Sequence, residues 1–481
     1  MEITVAHNQQ NNVASHATKY VAGVAQSIRV VVRNIADLTV HAVFSAIDRV
    51  ERIQWSSNDA LILATVPTQG VVHVWAIDDP EWACRIDTGV AGLADAIFHP
   101  TSSRHILVYS EFGLKVDIWD LMDQSRNTIR DVKSHSRPAV SNSKKFALII
   151  VRQFGRDHIL VLDLREKFRI VKKIPLHACS DIQSVHWTAD DMAFVAIETA
   201  LKPFVYLFSV NDGTLVTKQG LYEDENVTQL GITSLETTRH NLFAGCFDES
   251  LCIFSISAGL TLISRISFRN QLVNVIDDTP AVLRETLGGE ATVRQRNMYQ
   301  LGAGDTYGYP VEYREVVPDD SGIPGLGQVQ LPSVEAKFPR AHIQGKKASI
   351  VGPARGGLSA LTCSPDGQWV AVQSEYKSSV IFLVEVGRLK PAAILVHRQP
   401  VRDFKWNPAG LGHRNQLAVV TGDSRVFVWA PSMENETVEM KDPTFKPTRS
   451  EWSSDGRDLI LSEKDRVCSL IVHKKVTSAG G

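Results

Sequence analysis

Two glycine-rich runs, GAGDTYG at 302–308 and GIPGLG at 322–327, are the first places to look for phosphate chemistry. Such loops hold a phosphate when they follow a buried strand and open a helix, so that backbone N–H groups converge on the anion. Neither run has that setting, and no Gly-Lys-Ser or Gly-Lys-Thr triplet is present. The 15 histidines are scattered and form no His-Glu-x-x-His pair, so their spacing gives no metal site. Asp78-Asp79 and Asp277-Asp278 are paired carboxylates, but both pairs sit in turns, where Asp is favoured for local hydrogen bonds. Lys144-Lys145, Lys172-Lys173, Lys346-Lys347 and Lys474-Lys475 are separate doublets, which fit solvated turns better than a groove for nucleic acid. The six cysteines (84, 179, 246, 252, 363 and 468) include no Cys-x-x-Cys pair. Most fall in expected strands and read as reduced, buried thiols of a cytosolic protein, where the sequons at Asn226 and Asn435 have no consequence. No nucleophile, base and orienting acid can be assembled from the order of residues alone. The expectation is a protein with no catalytic residue, no cofactor and no metal.

The tryptophans lead from chemistry to architecture. Trp55, Trp75, Trp119, Trp187, Trp406, Trp429 and Trp452 fall on repeated positions, which reads as core packing. The repeated unit is clearest at 53–87: a strand ending at Trp55, a polar turn at 56–59, a strand at 60–66, a turn at 67–70, a strand at 71–77 and a short strand at 82–86. The tail of its first strand returns at Phe98, Trp187, Ile232, Cys363, Trp406 and Trp452. Trp55 to Phe98 is 43 residues, Trp187 to Ile232 is 45, Cys363 to Trp406 is 43 and Trp406 to Trp452 is 46. Four strands per unit at a pitch of about 40–45 residues is the mark of a WD-repeat β-propeller. Only Trp119-Asp120 keeps the literal Trp-Asp pair, and a degenerate unit begins at Ala139-Val140-Ser141.

The 481 residues are 44% hydrophobic and 22% charged, with a net charge of −2, so nothing global argues for nucleic acid or an anionic membrane surface. The first residues do not read as a signal peptide, and no apolar run approaches the ~18–20 residues of a membrane span. The expected fold is all-β, with blades one to six and an N-terminal closing strand in 1–268 and blades seven to nine in 353–481. Residues 269–352 break the period and are rich in Gly and Pro, which makes them an insertion: a passive linker, or an excursion over one face with strand-like pieces at 281–283 and 311–317. The last unit lacks an outer strand and residues 2–7 form a spare one, so pairing them would close the ring and cover an edge. Nine blades of about 43 residues fit this count, with an eight-bladed ring as the alternative.

Pro80-Glu81-Trp82-Ala83-Cys84-Arg85-Ile86-Asp87-Thr88-Gly89-Val90-Ala91-Gly92-Leu93 resembles a segment of the centrosomal WRAP family, the WD repeat protein eight family. Further similarity lies in Arg104-His105-Ile106-Leu107 with Glu111-Phe112, in Pro400-Val401-Arg402 with Phe404-Lys405-Trp406, and in Thr421-Gly422-Asp423-Ser424-Arg425 running on to Trp429-Ala430-Pro431. The resemblance extends over nearly the whole chain and departs from the family in blades four and six and in the sequence of the insertion. It implies a non-catalytic scaffold of the cytoplasm and cytoskeleton, at the centrosome, spindle pole body or basal body. It implies a coiled-coil anchoring protein of the synovial-sarcoma-X-interacting, Msd type as partner and, in yeast, a minus-end kinesin. Anchoring of microtubule minus ends, spindle organisation and cilium assembly would follow.

Rigid blades hold loops in fixed relative positions, so binding costs little loop-ordering entropy. The residues expected to touch a partner are Glu81, Trp82 and Arg402, together with the insertion; for Trp82, packing between neighbouring blades is the competing reading. Two rival functions remain at this level. One is a translation-initiation scaffold or a member of another multiprotein complex. The other is a hydrolytic or lyase propeller, which would need a polar cluster along the central channel.

Overall fold

The structure is a computed structural model that describes residues 2–3, 7–15, 19–35, 37–79, 81–133, 137–166, 168–198, 203–221, 231–268, 281–287, 311–315, 357–408, 415–431, 436–453 and 455–471. The glycine runs at 302–308 and 322–327, Pro80, Asp277-Asp278, Lys346-Lys347, Lys474-Lys475 and both sequons lie outside the described residues. Nine antiparallel sheets follow one another along the chain, at 10–45, 52–87, 95–130, 139–175, 182–220, 232–267, 358–396, 403–439 and 449–471. They are the nine blades of an all-β propeller; seven are four-stranded meanders from the central axis to the rim, and the seventh and ninth take further strands from elsewhere in the chain.

The burial of the strands explains why the sequence adopts this form. In blade two, Leu61–Val66 and Val71–Ala76 are almost continuously buried, because neighbouring blades cover both faces of the middle strands. The outer strand Ala83–Asp87 buries only Ile86, since one side faces solvent. Blade four is a full blade despite its irregular sequence, with an inner strand reduced to Ala139–Val140.

Six of the seven tryptophans on repeated positions are buried, and Trp119 is half-buried beneath the guanidinium of Arg126, 5.7 Å from its ring centre. Four of them also tie blades together. The indole Nε1–H of Trp55 donates to the Val13 carbonyl (2.9 Å), Trp187 to Ala139 (2.7 Å), Trp406 to Thr362 (3.1 Å) and Trp452 to Lys405 (3.0 Å). Each acceptor lies on the innermost strand of the preceding blade.

Blade nine takes its outer position from the other end of the chain. Glu2–Ile3 and His7–Asn8 both pair antiparallel with Arg466–Ile471, with Glu2 opposite Ile471 and His7 opposite Val467. The insertion is more than a linker where it is described. Ala281–Leu287 pairs in parallel with Lys390–Val396, the outer strand of blade seven, and Val311–Glu315 pairs antiparallel with Ala281–Leu287. Blade seven is therefore six strands wide at the rim. In its described residues the insertion thus adds strands to an exposed β edge, the kind of edge that takes up a further strand.

Candidate interaction face

An antiparallel meander sends its turns to opposite faces of the ring. The turns between first and second and between third and fourth strands emerge on one face; the second-to-third turns and the connections between blades emerge on the other. Glu81 and Trp82 lie between the third and fourth strands of blade two, whereas Arg402 precedes the first strand of blade eight. The three residues expected to touch a partner are therefore divided between opposite faces and form no common site. Glu81 is exposed, and its N–H donates to Asp79 Oδ1 (3.2 Å), which gives Asp79 a turn-forming task. Trp82 is half-buried and packs with Leu61, Cys84, Trp119 and Leu121 on the core between blades two and three, so it is engaged in inter-blade packing. Arg402 is exposed, and its side chain passes over Gly422, where an added Cβ would lie 3.4 Å from its Cγ.

The face that carries Arg402 also gathers most of the other family-like segments: 88–93 and 111–112 at blades two and three, and 400–402 and 421–424 at blade eight. Large apolar side chains stand open on it. Val90 is 107% exposed, Phe112 89% and Phe154 103%, and Leu114 projects beside them. These positions are neighbours across blades two to four. Gly92 lies against Glu111, whose Cδ would be 2.6 Å from an added Cβ. Leu114 O accepts from the Asp131 N–H (3.1 Å), Asp131 O accepts from the Arg152 N–H (2.8 Å), and Gln153 Nε2 donates to Asp131 Oδ2 (3.0 Å). Val90 and Phe112 lie within the family-like segments at 80–93 and 111–112 but were not singled out as contacts, and Leu114 and Phe154 lie in neither. A further sign was an aromatic residue inside a tight turn, in Glu111-Phe112-Gly113 and in Gln153-Phe154-Gly155, where Gly, Asn or Asp is usual.

Beneath this strip a charge network fixes blade four to blade five. Lys133 Nζ reaches Asp157 (3.1 Å) and Asp181 (2.6 Å), while Arg152 Nε donates to Asp157 (2.7 Å). Burial of Asp157 disfavours its charge, but Arg152, the Ile182 N–H and Lys133 outweigh it and hold the carboxyl below the usual range.

The innermost strands place Gln54, His186, Glu236, Thr362, Lys405 and Glu451 at equivalent positions along the inner wall. This polar half-ring is what a hydrolytic propeller would need. His186 Nδ1 lies 3.4 Å from Thr237 Oγ1, but its Nε2 is buried with no hydrogen-bond partner among the described residues. His186 therefore has no orienting acid among the described residues. Among the described residues, no group of three His, Cys, Asp or Glu side chains is disposed to hold a metal. The six cysteines are free thiols, three buried and three half-buried.

No family model matches the chain. The chain is 24% identical over 473 residues to the mouse WD repeat-containing protein WRAP73, covering 95% of this chain and 92% of that one. It is 25% identical over 203 residues to an uncharacterized WD repeat-containing protein of Schizosaccharomyces pombe, covering 40% of this chain and 42% of that one. Among solved structures, a chain of Kuenenia stuttgartiensis hydrazine synthase superposes with a TM-score of 0.36 at 14% identity, over 55% of this chain and 85% of its own.

Proposed function

We propose, with this chain's membership of the WD-repeat WRAP family as the premise, that it is a non-catalytic scaffold of the centrosome or spindle pole. In this reading it binds a coiled-coil anchoring protein of the synovial-sarcoma-X-interacting, Msd type. Through it, and with a minus-end kinesin, it tethers microtubule minus ends in the cytoskeleton, serving spindle organisation and cilium assembly. The observation that carries the scaffold reading is the turn face: apolar side chains held open to solvent on a ring whose blades are tied to one another. A rigid platform of that kind binds without a large ordering cost, and exposed apolar clusters on a soluble fold mark interaction surfaces. The pole assignment is supported by the family-like segments at 80–93, 104–112, 400–406 and 421–431.

Proximity labelling with the tagged protein in dividing cells tests the reading. The expected result is recovery of spindle-pole and minus-end proteins. Recovery of ribosomal subunits without pole proteins would remove the pole assignment and leave the propeller as an interaction platform of another complex.

A further inference from the structure

Six apolar residues among those described take a left-handed backbone: Leu38, Phe112, Phe154, Phe168, Leu260 and Leu389. That conformation strains a bulky side chain, and the strain persists only where something offsets it. Leu38, Phe168 and Leu260 are fully buried, and Leu389 packs on the core shared by blades six and seven. Phe112 and Phe154 are the exceptions, strained and open to water on adjacent blades of the same face. Asn or Gly would relieve the strain at either turn, so packing does not account for these two side chains.

We propose that Phe112 and Phe154, with Val90 and Leu114, are the apolar anchors for an acidic amphipathic helix of a partner protein laid across blades two to four. The inference rests on the scaffold reading and adds the face and the chemistry of the occupant. Two features define that occupant. Arg130, Arg156 and Lys173 stand beside the anchors, and none of them has a carboxylate partner among the described residues; Lys173 Nζ bonds only the Gln153 side chain. Of the carboxylates nearby, Asp131 accepts from the neutral Gln153 amide and Glu111 lies against Gly92, so neither is matched by a cation among the described residues. Three cations against these two carboxylates leave the strip a positive excess, which complements an acidic segment. The N–H groups of Gly92, Leu114, Asp131 and Arg152 in these turns already donate to backbone carbonyls and are closed to an added strand. A helix satisfies its own backbone and presents side chains at i, i+3 or i+4 and i+7, which suits a strip of spaced anchors.

The test replaces Phe112 or Phe154 with the photo-cross-linker p-benzoylphenylalanine in the full chain in dividing cells, with Glu81 on the opposite face as the control position. Positions 112 and 154 are expected to cross-link one protein segment, rich in Asp and Glu with a helical apolar stripe, about tenfold more than position 81. The double variant Phe112→Asn/Phe154→Asn should reduce capture of that segment by its wild-type partner about tenfold, measured by co-purification, while its Tm equals or exceeds that of the wild type. Arg130→Glu/Arg156→Glu/Lys173→Glu should weaken capture to a similar degree. Cross-linking no stronger than at 81, a basic or unstriped segment, captured nucleic acid, or a lowered Tm in the Asn variant would each overturn the proposal. An acidic striped segment from a protein foreign to the pole leaves this inference standing and removes the pole assignment. Pole proteins labelled in cells but cross-linked only from 81 would do the reverse.

Discussion

Glu451 and Asp157 are carboxylates that the fold treats in opposite ways. Glu451 opens onto the channel, yet the surrounding wall pushes its carboxyl up to about 7. Burial is the main cause; the Ala14 N–H and Lys405 act against it, and Asp403 adds to it. A carboxyl raised in the folded state binds its proton more tightly there, so stability falls as pH rises from about 4.5 through 7 and is level above. Channel water screens the effect to about 1 kcal/mol. Glu451→Gln is therefore expected to raise the Tm at pH 8 and leave it unchanged at pH 4.5, as two thermal melts would establish. Asp157 is held below its usual range by Arg152, the Ile182 N–H and Lys133 despite its burial. Its contribution is complete above about pH 4 and is lost as pH falls through the lowered value. Asp157→Asn leaves two cations facing a neutral group and is expected to cost about 3 kcal/mol at pH 7, read from denaturant unfolding, with the loss shrinking in acid. An equal loss at pH 2 and pH 7 would show that packing, and not charge, fixes this junction.

At the level of the blade, the tryptophan at the end of the inner strand carries a second task besides filling space. Trp452→Phe keeps most of the buried ring but leaves the Lys405 carbonyl without its donor, which is expected to cost about 1–2 kcal/mol. Trp75→Phe, at a buried tryptophan on a third strand, serves as the comparison; equal losses in chemical denaturation would remove the role of the Nε1–H bond. The blades were legible in the sequence because their period is long and their middle strands are largely apolar runs between turns, as in 60–66 and 71–77. Even the degenerate fourth blade was legible from the apolar runs at 146–151 and 158–163, which fall within its two longest strands, Phe146–Gln153 and Arg156–Asp163. The candidate face was not. Which face a turn occupies depends on the parity of strands within a blade, so Glu81 and Arg402 read as comparable loop residues although they point to opposite faces. Phe112 and Phe154 were hidden for a different reason. An aromatic residue next to a strand reads as the strand's last core position, and only the backbone angles and exposure place it in a turn facing water.

The ring as a whole stands or falls on its single seam. The four meander strands of every other blade are continuous in sequence, but blade nine draws its outer strand from Glu2–Ile3 and His7–Asn8, some 460 residues away along the chain. The seam does not rest on these short pairings alone. Gln9 N–H donates to the Asp465 carbonyl (2.9 Å), and Asn12 Nδ2 reaches Ser462 Oγ (3.2 Å). Val21, Ile35 and Leu38 of blade one pack with Ile460 and Val467 of blade nine in a common core. Removing residues 1–8 would leave that core in place but uncover the backbone edge of Arg466–Ile471, a template for pairing with another chain. The truncated protein is therefore expected to melt at a lower temperature and to form oligomers on size-exclusion chromatography. Loss of the covalent link alone should be repairable, because the strand recognises its neighbour mainly through the β ladder. A synthetic peptide of residues 1–9 added to the truncated protein should restore both the melting temperature and the monomer, saturating at one peptide per chain. A truncated protein that melts like the full chain would mean that the blade-one and blade-nine core closes the ring unaided, and that the terminal strand serves only to cover the edge.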